Sequence, residues 1–305
     1  MSKKFINDFK NVTGYLIFGV DRSGTTLTYS ILSNQKKFYW FSKIDTKLYR
    51  FPKISKLLRN SFSLFSNKSV IAIPDKISKS TGLISPSECI PYWKNIFKWG
   101  DENNYLIKDD FFDSNDLNKV DKSFLSEDLN FRINLFKKSH LLIKQPGFSH
   151  KLLLLNEIFS NLHFIHVSRK PIDNIYSLVN AKKKSKEKFW GTKIIGWKDL
   201  VDEDYFTQAT HQVYQTNKLI STQISENDTL KNKYYKVKYE SIIENPTYEI
   251  TKILELCNLK LNDSILNAVK GVVNNKKNYE LPSDISDNNK KLINMANELH
   301  EMDYR

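Results

Sequence analysis

The sequence is poor in cysteine and has no long apolar run. Its two cysteines, Cys89 and Cys257, lack metal-site spacing and are too few for a disulfide framework. We predict that both are reduced core residues, which favours a reducing compartment. No stretch approaches the roughly 18 apolar residues that a membrane helix needs, and no signal-peptide pattern opens the chain. These absences predict a soluble, cytoplasmic protein without a membrane span.

Glycine and proline are also scarce, with nine and eight residues in a chain of 305. No internal repeat, flexible linker or long block of one charge divides the chain, so residues 1–305 are expected to form one domain. The composition, 40% hydrophobic and 27% charged, is that of a folded globular protein. The net charge of +13 predicts attraction to anionic partners, but it does not choose among nucleotides, glycans, nucleic acids and membranes.

Short apolar runs alternate with amphipathic stretches along most of the chain. This alternation predicts an α/β fold of the P-loop type, with three layers and a mostly parallel central sheet covered by helices on both faces. Functional residues in such folds gather at the carboxyl ends of the strands. An irregular insertion at about 42–134 is expected to form a substrate cover. Strands are predicted at Tyr15–Phe18, Phe38–Phe41, Val70–Ile73, Leu141–Ile143, His163–Val167 and Tyr235–Lys238, and helices at Thr25–Leu32, Ser149–Phe159, Pro171–Lys182, Pro246–Leu256 and within 284–305.

The first predicted strand leads into a glycine-bracketed loop and then a helix. Glycines let backbone N–H groups converge on an anion, and the helix N-terminus adds partial positive charge. A nucleotide-triphosphatase loop would carry lysine where this chain has threonine, and its fixed cation is instead an arginine inside the loop. That arrangement favours a shorter anion, such as one phosphate joined to one sulfuryl group. The predicted anion-binding residues of this loop are Arg22, Ser23, Gly24, Thr25 and Thr26.

A second anion site is predicted at the end of another strand. Arg169 follows the strand His163–Val167, and Ser177 lies about two turns into the next helix. A guanidinium at a strand end and a hydroxyl on the adjoining helix can converge on one phosphate, and the fork of arginine matches phosphate oxygens. Together the two sites imply a ligand with two separated anionic ends.

These two segments resemble sequences of PAPS-dependent sulfotransferases, which use 3′-phosphoadenosine 5′-phosphosulfate. The 19–27 segment is similar to their 5′-phosphosulfate loop, and Arg169 and Ser177 to their 3′-phosphate site. Tyr239, followed by Glu240 and later Asn-Pro, is similar to a tyrosine near the nucleotide. The resemblance covers about 15–260 and is nearest to bacterial enzymes, more distantly to tyrosylprotein sulfotransferases. It implies PAPS as co-substrate, its 3′,5′-bisphosphate (PAP) as product, and no required metal; Lys276 and Lys277 fall where the family has a basic loop over the nucleotide.

Fixed cations are expected to supply much of the rate, because sulfuryl transfer builds negative charge on the leaving phosphate oxygen. Arg22 is one such cation. Lys144 is the second, because resembling sulfotransferases carry a lysine at this strand end, where it contacts the sulfuryl or bridging oxygen.

The general base is the point at which the sequence departs from its relatives. Small-molecule sulfotransferases have a histidine where this chain has Pro146. Two carboxylates are candidates: Asp45, near the position of a glutamate in tyrosylprotein enzymes, and Glu88, in a Pro-Ser-Glu segment similar to one in bacterial relatives. His150 and His211 are weaker candidates. A carboxylate in reach of the acceptor hydroxyl could take its proton.

The sequence is also compatible with two other functions. One is an ATP- and Mg²⁺-dependent phosphotransferase, with Asp75 as a possible metal-binding carboxylate. The other is a non-catalytic module that binds a nucleotide. No RNA-binding signature or clustered basic segment is present, so no nucleic acid partner is expected. For the sulfotransferase function the acceptor is a hydroxyl compound, a carbohydrate or another small or glycan molecule.

Overall fold

The computed structural model describes residues 13–65, 82, 84–97, 120–185, 187–272 and 279–304. Within these ranges the strands are β1 (Thr13–Phe18), β2 (Phe38–Tyr39), β3 (His140–Lys144), β4 (Leu162–Ser168) and β5 (Tyr234–Lys238). The α-helices are α1 (Thr25–Leu32), α2 (Lys43–Lys47), α3 (Pro52–Phe65), α4 (Ile90–Phe97), α5 (Lys122–Leu135), α6 (Leu152–Ile158), α7 (Pro171–Lys184), α8 (Tyr205–Ser225), α9 (Asp228–Lys231), α10 (Tyr239–Glu244), α11 (Pro246–Leu256), α12 (Asp263–Lys270) and α13 (Asp287–Glu301). Short 3₁₀ helices occupy Pro146–His150 and Trp197–Leu200.

The five strands form one sheet in the order β2-β3-β1-β4-β5, and every neighbouring pair is parallel. Parallel pairing places the carboxyl ends of the strands along one edge. The register is close to level there: Ile17 of β1 lies opposite Lys144 of β3, and Phe18 lies opposite His166 of β4. The loops that follow β1, β3, β4 and β5 therefore emerge side by side.

Both faces of the sheet are buried, and β1 illustrates the division. Leu16 and Phe18 belong to a core cluster with side chains of α4, α5, α6 and α8. Tyr15 and Ile17 point to the opposite face, where they join side chains of α1, α10, α11 and α12. Alternate residues of one strand thus contact two helical layers. The predicted three-layer α/β fold with a parallel central sheet is confirmed.

Two predicted elements differ from the observed ones for identifiable reasons. The strand predicted to reach Phe41 ends at Tyr39, because Ser42 forms a capping box that starts α2 at once. The helix predicted at Ser149–Phe159 is divided into a 3₁₀ turn and α6. The side chain of Gln223 inserts at the junction: its Oε1 accepts from the Leu152 N–H at 2.9 Å, and its Nε2 donates to the Ser149 carbonyl at 2.9 Å.

Other local predictions are confirmed with small shifts. Helices α1 and α11 have the predicted bounds, and the C-terminal helix is α13, whose first turn Ser286 caps. Cys89 and Cys257 are free and buried. In the ranges that the structure describes, no helix is both long and apolar enough to cross a membrane. The predicted strand Val70–Ile73, along with Asp75, Lys276 and Lys277, lies outside these ranges.

Candidate active site

The loop between β1 and α1 depends on two glycines that adopt positive φ angles. Gly19 has φ +147°, and a Cβ there would lie 2.4 Å from the Val167 carbonyl oxygen. Gly24 has φ +106°, and a Cβ there would lie 2.3 Å from Cδ2 of Tyr239. Arg22 also has a positive φ, +68°. Gly24 is the N-cap of α1 and offers no side chain to its first N–H groups, so these donors can receive an anion.

Side chains from other elements hold this loop in place. Ser149 Oγ accepts from the Gly19 N–H at 3.3 Å and donates to the Gly19 carbonyl at 3.1 Å. Asn174 Nδ2, on α7, donates to the Asp21 carbonyl at 2.7 Å. The Thr192 N–H donates to Asp21 Oδ2 at 2.6 Å. None of these supporting residues was predicted, because each lies far from the loop in sequence and carries no motif of its own.

The residues of the two predicted anion sites lie in direct contact. Arg22 Nε donates to Ser177 Oγ at 3.3 Å, and Arg169 Nη1 donates to the Arg22 carbonyl at 3.0 Å. The Arg169 guanidinium lies 4.7 Å from the centroid of the Tyr239 ring, which itself packs against Gly24. Arg22, Arg169 and Tyr239 follow the strands β1, β4 and β5, and these contacts bring them together with Ser177 of α7. Guanidinium groups pair well with phosphate and sulfate oxygens, so this arrangement is suited to an anionic ligand.

A cavity of about 440 Å³ adjoins the loop between β1 and α1. Lys144, at the end of β3, and Glu88, just before α4, line it and form an ion pair with each other. Thr26 lines the same cavity from the first turn of α1, so the cavity and the loop share a wall. Tyr29, Ser30, Thr46 and Ser87 add hydroxyl groups, and Pro86, Cys89, Ile90 and Pro91 add apolar surface.

A larger cavity, of about 680 Å³, lies elsewhere, along β5 and α11. None of the arginine, serine or loop residues described above lines it. The smaller cavity is lined by Lys144, Glu88 and Thr26, and Thr26 adjoins the loop that carries Arg22, so we assign the candidate active site there.

Asp45 occupies a different environment from Glu88. It is fully buried, and its carboxylate is surrounded by donors: Ser55 Oγ at 2.5 Å, the Ser42 N–H at 2.6 Å and Arg59 Nη1 at 2.8 Å. It does not line the cavity. A carboxylate held in this way stabilises the α2–α3 corner and is poorly placed to meet an acceptor, which counts against Asp45 as the base.

The two histidines considered as weaker bases also lie off the cavity wall. Burial, with a smaller contribution from Lys151, lowers the pKa of His150 to about 4, and its Nε2 lies 3.4 Å from Thr216 Oγ1. Burial also lowers the pKa of His211. Glu88 is therefore the candidate base that shares a cavity with Lys144.

The chain matches known proteins at the level of family, sequence and structure. A family model described as "Sulfotransferase family" matches residues 15–263. The chain resembles the crystal structure of sulfotransferase STF1 from Mycobacterium tuberculosis H37Rv, with 14% identity, a TM-score of 0.54 and coverage of 96% of this chain and 78% of that one. It also resembles sulfotransferase STF9 from Mycobacterium avium, with 13% identity, a TM-score of 0.50 and coverage of 85% and 67%. At these identities the likeness shows the fold alone.

A curated protein also matches by sequence. Reticulocyte-binding protein homolog 1 of Plasmodium falciparum (isolate 3D7) is 28% identical over 248 residues. The match covers 80% of this chain but only 7% of that protein, so the chain spans a small fraction of this relative's length. No activity is transferred from it.

Proposed function

This chain belongs to the sulfotransferase family, and we propose that its donor is PAPS and that its acceptor is a hydroxyl compound. The observation that carries the proposal is the contact among Arg22, Arg169 and Ser177, which joins the phosphate loop to the second anion site. PAPS carries a phosphosulfate at one end and a 3′-phosphate at the other. A donor of that kind needs two neighbouring anion sites, whereas a single phosphate would need one.

Two hydrogen-bond donors in this region support an anionic ligand. Ser23 is buried, and its Oγ has no hydrogen-bond partner within the part of the chain that the structure describes. The same is true of Arg169 Nε. Buried polar groups are rarely left without partners in proteins, so phosphate oxygens between the loop and Arg169 would satisfy both. Ser23, Gly24, Thr25 and Thr26 would hold the phosphosulfate through the N-terminus of α1, while Arg169 and Ser177 would hold the 3′-phosphate; Lys276 and Lys277 remain predicted contacts.

The Glu88–Lys144 pair supplies the groups that the transfer requires. Glu88 takes the proton of the acceptor hydroxyl while the acceptor oxygen forms its bond to sulfur. The bond between sulfur and the bridging phosphate oxygen breaks, and Lys144 and Arg22 stabilise the negative charge that collects on this oxygen. The products are a sulfate ester and PAP, and the proton is left on Glu88. No metal is required in this scheme.

The cavity suits an acceptor of modest size with both polar and apolar surface. Its hydroxyl-bearing wall, which includes Tyr29, Thr46 and Ser87, offers hydrogen bonds to a carbohydrate or another small hydroxyl compound. Thr46 on α2 and Ile90 on α4 come from the predicted insertion at about 42–134, which supports its role as a substrate cover. The buried free cysteines are in keeping with the expected cytoplasmic location.

Calorimetric titration tests the donor assignment. We expect PAP to bind tightly without metal and ATP to bind much more weakly, because Thr25 replaces the lysine that reaches the β- and γ-phosphates in triphosphatases. Tight ATP binding that requires Mg²⁺ would instead support the phosphotransferase function. Binding of neither nucleotide would contradict the proposal. A screen with labelled PAPS then identifies the acceptor.

A further inference from the structure

The α2–α3 corner presents a surface that the proposed reaction does not use. Three large apolar side chains on it are mostly exposed: Phe51 by 57%, Ile54 by 50% and Leu57 by 67%. Basic side chains are exposed among them. We call this surface the basic apolar face and define it by Lys47, Arg50, Phe51, Lys53, Ile54 and Leu57.

Helix α3 has its polar and apolar sides in the reverse of the usual arrangement. Its inward stripe is polar, since Ser55 is buried and Ser55 and Arg59, one turn apart, both bind the carboxylate of Asp45. Its outward stripe carries Ile54 and Leu57. A surface helix of a globular protein normally turns its apolar stripe towards the core. An outward apolar stripe of this size marks a surface that binds something.

The orientation of this face is fixed by packing. Arg59 Nη1 donates to the Trp40 carbonyl at 3.1 Å, and its guanidinium lies 4.4 Å from the Trp40 ring. Together with the buried Asp45 carboxylate, these contacts prevent α3 from turning its apolar stripe inward without breaking an ion pair. The exposure is therefore built into the fold.

The charge on the face has one sign. Residues 46–65 contain five basic residues and no acidic one, and Asp45, the acidic residue nearest in sequence, is buried against Arg59. Lys47, Arg50 and Lys53 are all exposed. Apolar side chains surrounded by lysine and arginine are the pattern of a helix that lies in the interface of an anionic membrane.

We propose that the basic apolar face docks the protein on an anionic lipid surface. Phe51, Ile54 and Leu57 enter the boundary between headgroups and acyl chains, and the basic side chains contact anionic headgroups. A lipid surface satisfies both features together. A nucleic acid or an acidic polysaccharide would use the charges but leave the aliphatic side chains in water.

The position of the face bears on the acceptor. Thr46, which lines the active-site cavity, directly precedes Lys47, so the face and the cavity lining are adjacent along the chain. Docking there would bring lipid headgroups towards this side of the cavity, and we therefore extend the proposal to a lipid-borne hydroxyl as the acceptor class. This last step rests on the proposed function; the docking itself does not.

Co-sedimentation with vesicles tests the docking. Wild-type protein is expected to sediment with vesicles of phosphatidylcholine and phosphatidylserine, in a salt-sensitive way, and not with phosphatidylcholine alone. The triple variant Phe51→Ser, Ile54→Ser, Leu57→Ser and the double variant Arg50→Glu, Lys53→Glu are each expected to lose at least about tenfold in vesicle affinity. Two matched controls are expected to keep wild-type vesicle affinity. The first is a triple variant of three other exposed apolar residues, Tyr248→Ser, Leu256→Ser, Leu281→Ser. The second is a double variant that makes the same charge change on α13, Lys290→Glu, Lys291→Glu.

Three results would overturn the proposal: no binding of wild type to the anionic vesicles, unchanged binding by the triple variant, or equal loss in the controls. Unchanged binding by the triple variant would leave a purely electrostatic surface, as for an acidic polymer. If the triple variant fails to fold, the charge-reversal pair decides the question. PAP titration of the same variants separates the two proposals, because it reports the donor site and is expected to be unchanged by substitutions on this face.

Discussion

Replacing Gly24 by alanine is a sharp test of the phosphate loop. Gly24 has φ +106°, a backbone conformation that is strained for any residue with a Cβ. An added Cβ would also lie 2.3 Å from Cδ2 and 3.1 Å from Cε2 of Tyr239. The ring cannot keep its position, and it is the ring that the Arg169 guanidinium contacts. One methyl group therefore disturbs both the loop and the second anion site.

The size of the effect follows from the backbone. For a residue with a Cβ, the left-handed backbone conformation is less stable by about 1–2 kcal/mol, and displacing the Tyr239 ring adds to this energy. In the free variant the loop can relax, and nucleotide binding must restore the strained conformation, so the cost appears in the affinity. We expect the affinity for PAP to fall by about tenfold or more, since each 1.4 kcal/mol is a factor of ten.

Calorimetry of PAP binding and the melting temperature measure the two consequences separately. The matched control is Gly196→Ala, because Gly196 has φ +68° but its added Cβ would meet nothing closer than 3.5 Å. We expect both variants to lose stability and only Gly24→Ala to lose nucleotide affinity. Wild-type PAP affinity in Gly24→Ala would refute the assignment of this loop as a phosphosulfate site.

The other predictions concern the carboxylates, the lysine and one histidine. Glu88→Gln is expected to lower kcat by about 10²–10⁴, as the loss of a general base would, and to lower the melting temperature modestly because Lys144 loses its ion-pair partner. Asp45→Asn is expected to lower the free energy of unfolding by about 3 kcal/mol, since Arg59 loses its buried partner, while the folded fraction keeps its kcat. Lys144→Ala is expected to lower kcat by about 10²–10³, measured with the acceptor from the labelled-PAPS screen. Folding lowers the pKa of His150 from 6.5 to about 4. We therefore expect the free energy of unfolding, measured by denaturant titration, to fall by about 2 kcal/mol when the pH is lowered from 7 to 5.

The sign of the histidine effect follows from proton uptake. Below pH 6.5 the unfolded chain binds a proton at His150 that the folded chain excludes, so stability falls as the pH falls towards 4. His150→Leu should flatten this part of the profile, and a profile identical to wild type would contradict the assignment. Loss of turnover without loss of stability in Asp45→Asn would restore Asp45 as the base. A wild-type rate in Lys144→Ala would remove its catalytic role.

The fold was predictable, and the proposed donor site could be outlined, because their signals are local. The loop around Arg22 carries its own glycines, and Arg169 and Lys144 each follow a recognisable strand. Because parallel strands end at one edge of the sheet, these segments were expected to lie together. In the structure, the register of β1 with β3 and β4 places the ends of these strands side by side.

The supporting contacts were not predictable because they depend on distant partners. Ser149, Asn174 and Thr192 hold the loop through single hydrogen bonds that leave no pattern in the sequence. Asp45 and Glu88 are alike as residue types, and only the structure separates the carboxylate packed against Arg59 from the one on a cavity wall.

Comparing PAP with adenosine 5′-phosphate tests the central claim most directly, because the two differ only in the 3′-phosphate. Without metal, the wild-type protein should bind PAP more tightly by about tenfold to a hundredfold, the range expected for hydrogen bonds to a charged group. Arg169→Ala should bind the two nucleotides almost equally. Equal binding by the wild type, or an undiminished preference in Arg169→Ala, would contradict a donor held between the loop of Arg22 and the pair of Arg169 and Ser177.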